Sequence, residues 1–244
     1  MPRPTQAFID LSALAHNLGV VRQYVPCSRI MAVVKADAYG HGLLHTASAL
    51  KDVDGFALLE LDAAISLRDA GYQQPILLLE GFFSTEELAL FEQYRLSAVI
   101  HHSEQIAMLS DSKHHNLDLF LKINTGMNRL GLAPEQFPQI MKALTDHPGI
   151  DSITLMTHFA SADDPLEEDE VFQQLQYFEA ITQNHKYPHS LANSAAIIRY
   201  PVTHADWVRP GIMLYGASPF ADKTASELNL KPVMTLSSKI IAIH

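Results

Sequence analysis

The chain has 244 residues, of which 48% are hydrophobic and 18% are charged, so it is long enough for one large domain with a full core. A net charge of −10 without a basic stripe excludes nucleic acid and anionic membrane surfaces as expected partners. The single cysteine, Cys27, excludes an intrachain disulfide, and the chain shows neither a signal peptide nor an apolar run of the ~18 residues needed for a membrane span, so we expect a cytoplasmic protein.

Apolar stretches predict strands, and the amphipathic stretches between them predict helices. At the beginning of the chain, the sequence predicts a short strand at 6–11 and a helix at 12–25. Eight further strands are predicted at 30–35, 55–60, 75–80, 97–102, 117–124, 152–159, 190–194 and 207–216. The intervening helices are predicted at 42–51, 61–71, 84–94, 103–113, 133–144 and 167–183.

Nearly continuous apolar strands that alternate with helices indicate a parallel sheet covered on its outer face. Eight such units in a chain of this length favour an α/β fold of the (β/α)8 TIM-barrel type. The alternative is a doubly wound open sheet, but no G-x-G-x-x-G motif follows the first strand. The last residues, 230–244, alternate like an antiparallel strand, and the exposed edge that this strand would leave predicts that more sequence follows.

Polar and ionisable residues recur where the predicted strands end, which is the catalytic face of such a barrel. The final two strand ends contain a serine at a helix start and a glycine, an arrangement suited to a phosphate dianion. Residues at these strand ends are Lys35, Lys122, Arg129, His158, Asn193, Ser194, Arg209 and Gly211.

A strand-end lysine beside a phosphate site suggests pyridoxal phosphate, because this cofactor needs a lysine amine and a partner for its pyridine nitrogen. Lys35 alone would more often be a surface lysine. Together with Arg129, His158, Ser194 and Arg209, it favours the cofactor interpretation.

Other histidine and acidic clusters carry less information. His41 and His45 share a helix face at i and i+4, but no acidic partner accompanies them, and such pairs arise by chance among 13 histidines, so we predict no metal. The pairs His101–His102 and His114–His115 are predicted to lie in loops, and the acidic run at 163–170 is predicted to be a solvated helix start.

Several whole segments resemble the bacterial alanine racemases. The segment VVKADAYGHG resembles the cofactor-lysine motif of that family, INTGMNRLG its arginine loop, and THFASAD a strand-end motif. HSLANSAA and RPGIMLYG resemble its two phosphate-side motifs, and AFIDLSALAHNL resembles its opening. The resembling segments between residues 30 and 216 occur in family order.

The resemblance implies roles for residues at the ends of the first, fifth and sixth predicted barrel strands. Lys35 would form a Schiff base with pyridoxal phosphate and move the α-proton on the D-alanine face, and Tyr39 would contact the phosphate. Arg129 would lie near the phenolic oxygen and the substrate carboxylate. Lys122 would be a possible carbamylated lysine that orients Arg129, and His158 would lie beside the cofactor.

The same resemblance assigns the phosphate side of the site. Ser194, Gly211 and Ile212 would bind the phosphate, the last two through backbone N–H groups, and Asn193 is also expected to bind the cofactor. Arg209 would face the pyridine nitrogen. Because arginine stays protonated, it would donate to that nitrogen without easily protonating it, which would limit side reactions such as transamination.

The implied activity is two-base interconversion of L-alanine and D-alanine by a homodimer, which supplies D-alanine for peptidoglycan. The second base of the family is a tyrosine in a C-terminal β domain that this chain lacks. We expect 1–11 to be a strand of that domain, 12–228 to be the pyridoxal-phosphate barrel, and 229–244 to begin the β domain. The chain alone is expected to bind the cofactor weakly and to racemise poorly or not at all.

Two other classes of barrel compete with this interpretation. Single-domain pyridoxal-phosphate carrier proteins have about this length, but their motifs differ from KADAYGHG and RPGIMLYG. Related decarboxylases that act on basic amino acids generally pair the pyridine nitrogen with a glutamate, and Arg209 argues against them. Whether alanine or serine is preferred depends on pocket residues, several of which would lie outside this chain.

Overall fold

The computed structural model describes residues 4–110 and 116–243, so His114, His115 and His244 lie outside it. The strands are β1 (Gln6–Ile9), β2 (Arg29–Val33), β3 (Gly55–Leu58), β4 (Ile76–Leu78), β5 (Ser97–Ile100), β6 (Leu117–Lys122), β7 (Ile150–Met156), β8 (His189–Ser190), β9 (Trp207–Val208) and β10 (Met234–Ser237). Strands β2 to β9 form a closed barrel in sequence order, all parallel. This confirms the predicted (β/α)8 barrel and excludes the open sheet. β1 and β10 pair antiparallel as a separate ribbon.

The helices alternate with the barrel strands. They are α1 (Leu11–Tyr24), α2 (Lys35–Gly40), α3 (Leu43–Ala49), α4 (Leu61–Asp69), α5 (Glu87–Gln93), α6 (Ser103–Ser110), α7 (Phe137–Thr145), α8 (Glu168–Thr182) and α9 (Ser194–Arg199). Of these, α2 and α9 begin beside the carboxyl ends of the strands. None of the helices in the described part of the chain is both long and apolar enough to cross a membrane. The strand predicted at 207–216 is wrong beyond Val208, because the apolar residues Met213, Leu214 and Tyr215 are buried in a 3₁₀ turn, Ile212–Tyr215, rather than in the sheet.

Two apolar layers explain why the barrel strands are hydrophobic on both faces. One layer fills the barrel interior, and the other lies between the strands and the helices. On β2, Met31 and Val33 point inward, whereas Ile30 and Ala32 pack in the outer layer. The alternation of side chains along each strand therefore fixes which positions reach the barrel axis.

The helical turn α2 is wound left-handed. Its four residues from Ala36 to Tyr39 have φ between 51° and 55°. A left-handed turn costs L-amino acids about 1–2 kcal/mol per residue, so contacts nearby must hold it. The Asp37 carboxylate accepts a hydrogen bond from the Leu43 N–H at 2.7 Å, which ties the turn to the start of α3.

Replacing Ala36 with glycine should stabilise the protein. Ala36 is exposed and has φ of 51°, so Ala36→Gly removes the clash of the β-carbon without opening a cavity. We expect the free energy of unfolding to rise by up to about 1 kcal/mol in urea titrations. The matched change Ala180→Gly, at an exposed position of the right-handed helix α8, should lower it by about the same amount. Equal losses for both variants would contradict this account of the turn.

Candidate active site

The alternation of side chains along the barrel strands explains where the main polar residues of the site lie. Each lies two positions after an apolar residue of the barrel interior, so the alternation of side chains puts it on the same inward face, at the carboxyl end of its strand. The interior residues are Val33, Phe120, Met156 and Trp207, and the residues two positions on are Lys35, Lys122, His158 and Arg209.

These side chains line a cavity of about 580 Å³ at the carboxyl ends of the strands. Four of its ionisable residues are cationic (Lys35, Lys122, Arg129 and Arg209) and two are acidic (Glu80 and Asp163). The cavity therefore concentrates positive charge although the whole chain carries −10. Such a site attracts an anionic ligand.

Arg209 is the most tightly held of these residues. Its side chain is buried, with 4% exposure, and the guanidinium donates to the Ser190 hydroxyl at 2.5 Å and to the carbonyls of Thr157 at 2.8 Å and Leu191 at 3.1 Å. Burial lowers the pKa of Arg209 to about 10, so it remains protonated near neutral pH. A fixed cation therefore forms the floor of the cavity.

His158 is held as a neutral ring beside this cation. Its Nδ1 lies 3.3 Å from Nη2 of Arg209, which can only donate. The ring must therefore accept at Nδ1 and carry its proton on Nε2. Burial, and after it the charge of Arg209, lowers the pKa of His158 well below its ordinary value.

Lys122 is a buried amine among other cations. Burial first, and then the charges of Arg209 and Arg129, lower its pKa to about 8. A larger fraction of Lys122 is therefore neutral near physiological pH than of an exposed lysine.

Stability should report the lowered pKa of Lys122 directly. Between about pH 8 and 10.5 the unfolded chain binds more protons at this residue than the folded chain, so the free energy of unfolding should rise with pH in this window. Relative to Lys122→Met, the unaltered chain should gain up to about 3 kcal/mol from neutral to alkaline pH, measured by urea unfolding. The exposed Lys142→Met is the matched control and should not change the slope. A slope shared by all three chains would contradict the burial of this charge.

Ser194, Gly211 and Tyr39 form a small polar cradle at one side of the cavity. The Gly211 N–H donates to the Ser194 hydroxyl at 2.9 Å. A β-carbon at Gly211 would lie 2.7 Å from the Tyr39 hydroxyl, so only glycine leaves this space open. The Tyr39 ring packs on Tyr215 with centroids 4.7 Å apart, and the Tyr215 hydroxyl donates to the Val33 carbonyl at 3.0 Å.

Arg129 lies in the loop Asn124–Gly131 after β6, which we call the Arg129 loop. The Asn124 side chain accepts from the Gly126 N–H at 3.2 Å and from the Asn128 N–H at 3.0 Å, so it shapes the loop from within. The Arg129 side chain is exposed and makes no hydrogen bond or ion pair with the described residues. Its position over the cavity therefore depends on the loop backbone.

The structure brings all ten residues predicted for the site around this one cavity. Asn193 caps α9 by accepting from the Ala196 N–H at 3.0 Å, and Ile212 lies at the rim. His41 does not line the cavity but packs on Tyr215. Among residues 4–110 and 116–243, no group of three or more candidate metal ligands is present.

Sequence reasoning missed several residues of the site. Glu80 ends the stretch predicted as the third barrel strand, and the rule about strand ends would have identified it. Asp163 belongs to the run that the sequence predicts to be a solvated helix start, but it lines the cavity. Ser190 and Tyr215 act through contacts with Arg209 and Val33 that only the folded chain creates.

Comparison with known proteins gives a consistent result. Residues 9–219 match the family described as "Alanine racemase, N-terminal domain". Over its full length the chain is 59% identical to an alanine racemase of Nitrosospira multiformis, covering 69% of that protein. It is 61% identical to an alanine racemase of Nitrosomonas europaea, covering 68% of that protein.

Solved structures show the same similarity. The biosynthetic alanine racemase from Pseudomonas aeruginosa superposes with a TM-score of 0.90 at 43% identity, over 96% of this chain and 66% of that one. The alanine racemase from Acinetobacter baumannii superposes with a TM-score of 0.91 at 41% identity, over 100% of this chain and 72% of that one. The chain thus spans about two thirds of the length of these proteins.

Proposed function

Because this chain belongs to the alanine racemase family, we propose that it binds pyridoxal 5′-phosphate and takes part in the interconversion of L-alanine and D-alanine. The observation that carries the proposal is the position of Lys35, at the end of a strand that pairs with β9, next to the cradle at Gly211. When bound, the cofactor supplies an electron sink that makes the α-proton of an amino acid acidic.

The cavity fits such a group in size and charge. Its volume of about 580 Å³ is typical of sites for small ligands, and its positive charge suits a phosphate. We propose that Ser194 and Tyr39 bind the phosphate through their hydroxyls and that Gly211 and Ile212 bind it through backbone N–H groups. Asn193 would support this side of the site, since it caps the helix that begins at Ser194.

Lys35 and Arg209 would act on opposite ends of the cofactor ring. We propose that Lys35 Nζ attaches the cofactor covalently and then moves the α-proton on the D-alanine face. Arg209 would donate a hydrogen bond to the pyridine nitrogen. Because its pKa stays near 10 and its hydrogen bonds fix it, it would not give up a proton.

The remaining residues would orient the substrate. Arg129 would bind the substrate carboxylate, and His158 would lie beside the ring as a neutral partner of Arg209. The amine of Lys122, with its pKa near 8, has a neutral fraction that can react with carbon dioxide. We therefore propose Lys122 as the candidate carbamylated lysine.

Membership of the family supports a proposal about the rest of the protein. We propose that residues 12–228 form the cofactor-binding barrel and that 1–11 and 229–244 belong to a β domain, of which Met1–Arg3 and His244 lie outside the described residues. The natural enzyme would be a cytoplasmic homodimer that supplies D-alanine for peptidoglycan.

Cofactor binding tests the proposal. Pyridoxal phosphate should bind saturably to the chain, and pyridoxal, which lacks the phosphate, should bind at least about 100-fold more weakly because it loses several charge-assisted hydrogen bonds. Dissociation constants from tryptophan fluorescence would measure this, since Trp207 lies two residues before Arg209. Equal affinity for both compounds would contradict the phosphate cradle.

A further inference from the structure

The side chain of Gln174, on α8, packs against the Arg129 loop. It is buried, with 5% exposure, although it is polar. Its Oε1 accepts from the Ala160 N–H at 3.0 Å. Its Nε2 donates to the His158 carbonyl at 3.2 Å and to the Thr125 hydroxyl at 3.3 Å. Gln174 thus connects the chain after β7 to the first residues of the Arg129 loop.

The partners of Gln174 allow only one orientation of its amide. The Ala160 N–H can only donate and the His158 carbonyl can only accept, so a flipped amide would face a donor with a donor and an acceptor with an acceptor. The Gln174 amide therefore makes hydrogen bonds in one defined orientation and does not only fill space in the core.

A fixed sequence of hydrogen bonds continues from Gln174. Thr157 donates its hydroxyl proton to the Ile123 carbonyl at 2.9 Å. In the contact of 2.7 Å between the hydroxyls of Thr125 and Thr157, Thr125 must therefore donate. The Thr125 oxygen is then left to accept from Gln174. The chain after β6, at Ile123 and Thr125, is joined in this way to Thr157, which follows β7.

The Arg129 loop also packs against the same side chain. Gly126 has φ of 144°, and a β-carbon there would lie 3.2 Å from Gln174 Cγ. The loop backbone therefore rests on Gln174 without space for a side chain between them. Because the Arg129 side chain has no bonded partner among the described residues, its position depends on the loop backbone, which Asn124 shapes from within and Gln174 supports from below.

We propose that Gln174 is a positioning residue that holds Arg129 over the cavity and so strengthens binding of the substrate carboxylate. The part of this inference that concerns substrate binding by Arg129 rests on the proposed function. The part that concerns the contacts between Gln174 and the loop is independent of it. The two can therefore be tested apart.

The first experiment uses the chain without cofactor. Gln174→Met keeps the size of the side chain and removes its hydrogen bonds, so amide hydrogen exchange of residues 124–131, followed by mass spectrometry, should become about tenfold faster. The matched control is Gln105→Met, which removes another glutamine of 5% exposure that bonds to His101 and Glu80 instead, and it should leave this segment unchanged. Unchanged exchange in Gln174→Met would overturn the proposal.

A second variant tests the same link if Gln174→Met does not fold. Thr125→Val removes the hydroxyl that receives Gln174 and leaves the bonds of Gln174 to Ala160 and His158 in place. It should also speed exchange of the loop, by a smaller factor. No effect from Thr125→Val in a folded chain would overturn the role of this link.

The last arm measures alanine binding to the chain loaded with pyridoxal phosphate. Gln174→Met should weaken the affinity about tenfold in the presence of Arg129 and have no further effect in an Arg129→Met background. Additive losses would mean a general structural role and overturn the proposal. If the unaltered chain bound no alanine, the proposed function would fail, while the exchange experiment would still decide the role of Gln174.

Discussion

Lys35→Ala should abolish covalent attachment of pyridoxal phosphate to the chain. After treatment with cofactor and borohydride, peptide mapping of the unaltered chain should find the added mass on Lys35, and the variant should show none. The reason is topological. Ser194 and Gly211 of the cradle follow β8 and β9, and Lys35 follows β2, the strand that pairs with β9.

Lys122 provides the decisive control for this prediction. It is the other lysine of the cavity, and with a pKa near 8 it is a capable nucleophile. Its strand, β6, is separated from β8 by β7, so it lies farther from the cradle around the barrel. Lys122→Ala should therefore retain the adduct on Lys35. An adduct on Lys122 in the unaltered chain, or one that persists in Lys35→Ala, would refute the assignment.

Arg209→Met should cause the largest loss of stability among the site variants. The substitution leaves the buried carbonyls of Thr157 and Leu191 and the Ser190 hydroxyl without their donor. Each unsatisfied buried group costs about 1–3 kcal/mol, so we expect the free energy of unfolding to fall by about 3 kcal/mol or more in urea titrations.

The same variant should change the titration of its neighbour. Arg209 is the second cause of the lowered pKa of His158, after burial, so removing it should raise that pKa while leaving it below the ordinary value. Arg68→Met is a matched control, because Arg68 also donates to backbone carbonyls, at Tyr94 and Tyr72, but lies outside the cavity. It should reduce stability and leave the pKa of His158 unchanged in NMR titrations. A loss of stability without a change at His158 would contradict the electrostatic account.

The strand pattern made much of the site predictable from sequence. Lys35, Lys122, His158 and Arg209 lie at or just after the ends of apolar strands, and the two-residue alternation extends the inward face of each strand to its carboxyl end. The prediction placed these residues on the catalytic face because the fold class alone determines that location. It did not place Glu80 there, although the same rule applies to the end of β4.

Other parts of the site depend on contacts between residues far apart in the chain. In the left-handed turn from Ala36 to Tyr39, alanine and tyrosine adopt positive φ angles, although both prefer negative ones. The local sequence does not predict this turn. The Tyr215 hydroxyl reaches the Val33 carbonyl across 182 positions of sequence. In the local sequence, Gln174 looks like any polar residue of an amphipathic helix. Its buried hydrogen-bond partners are brought to it only when α8 packs against the barrel.

Exchange of the α-proton of alanine tests the central claim most directly, because it requires Lys35, the cofactor and the substrate site together. The chain loaded with pyridoxal phosphate, incubated with D-alanine in deuterated water, should incorporate deuterium at the α-carbon, as measured by proton NMR, and Lys35→Ala should not. Absence of exchange by the loaded chain, or equal exchange by the variant, would contradict the account and favour a protein that only carries the cofactor.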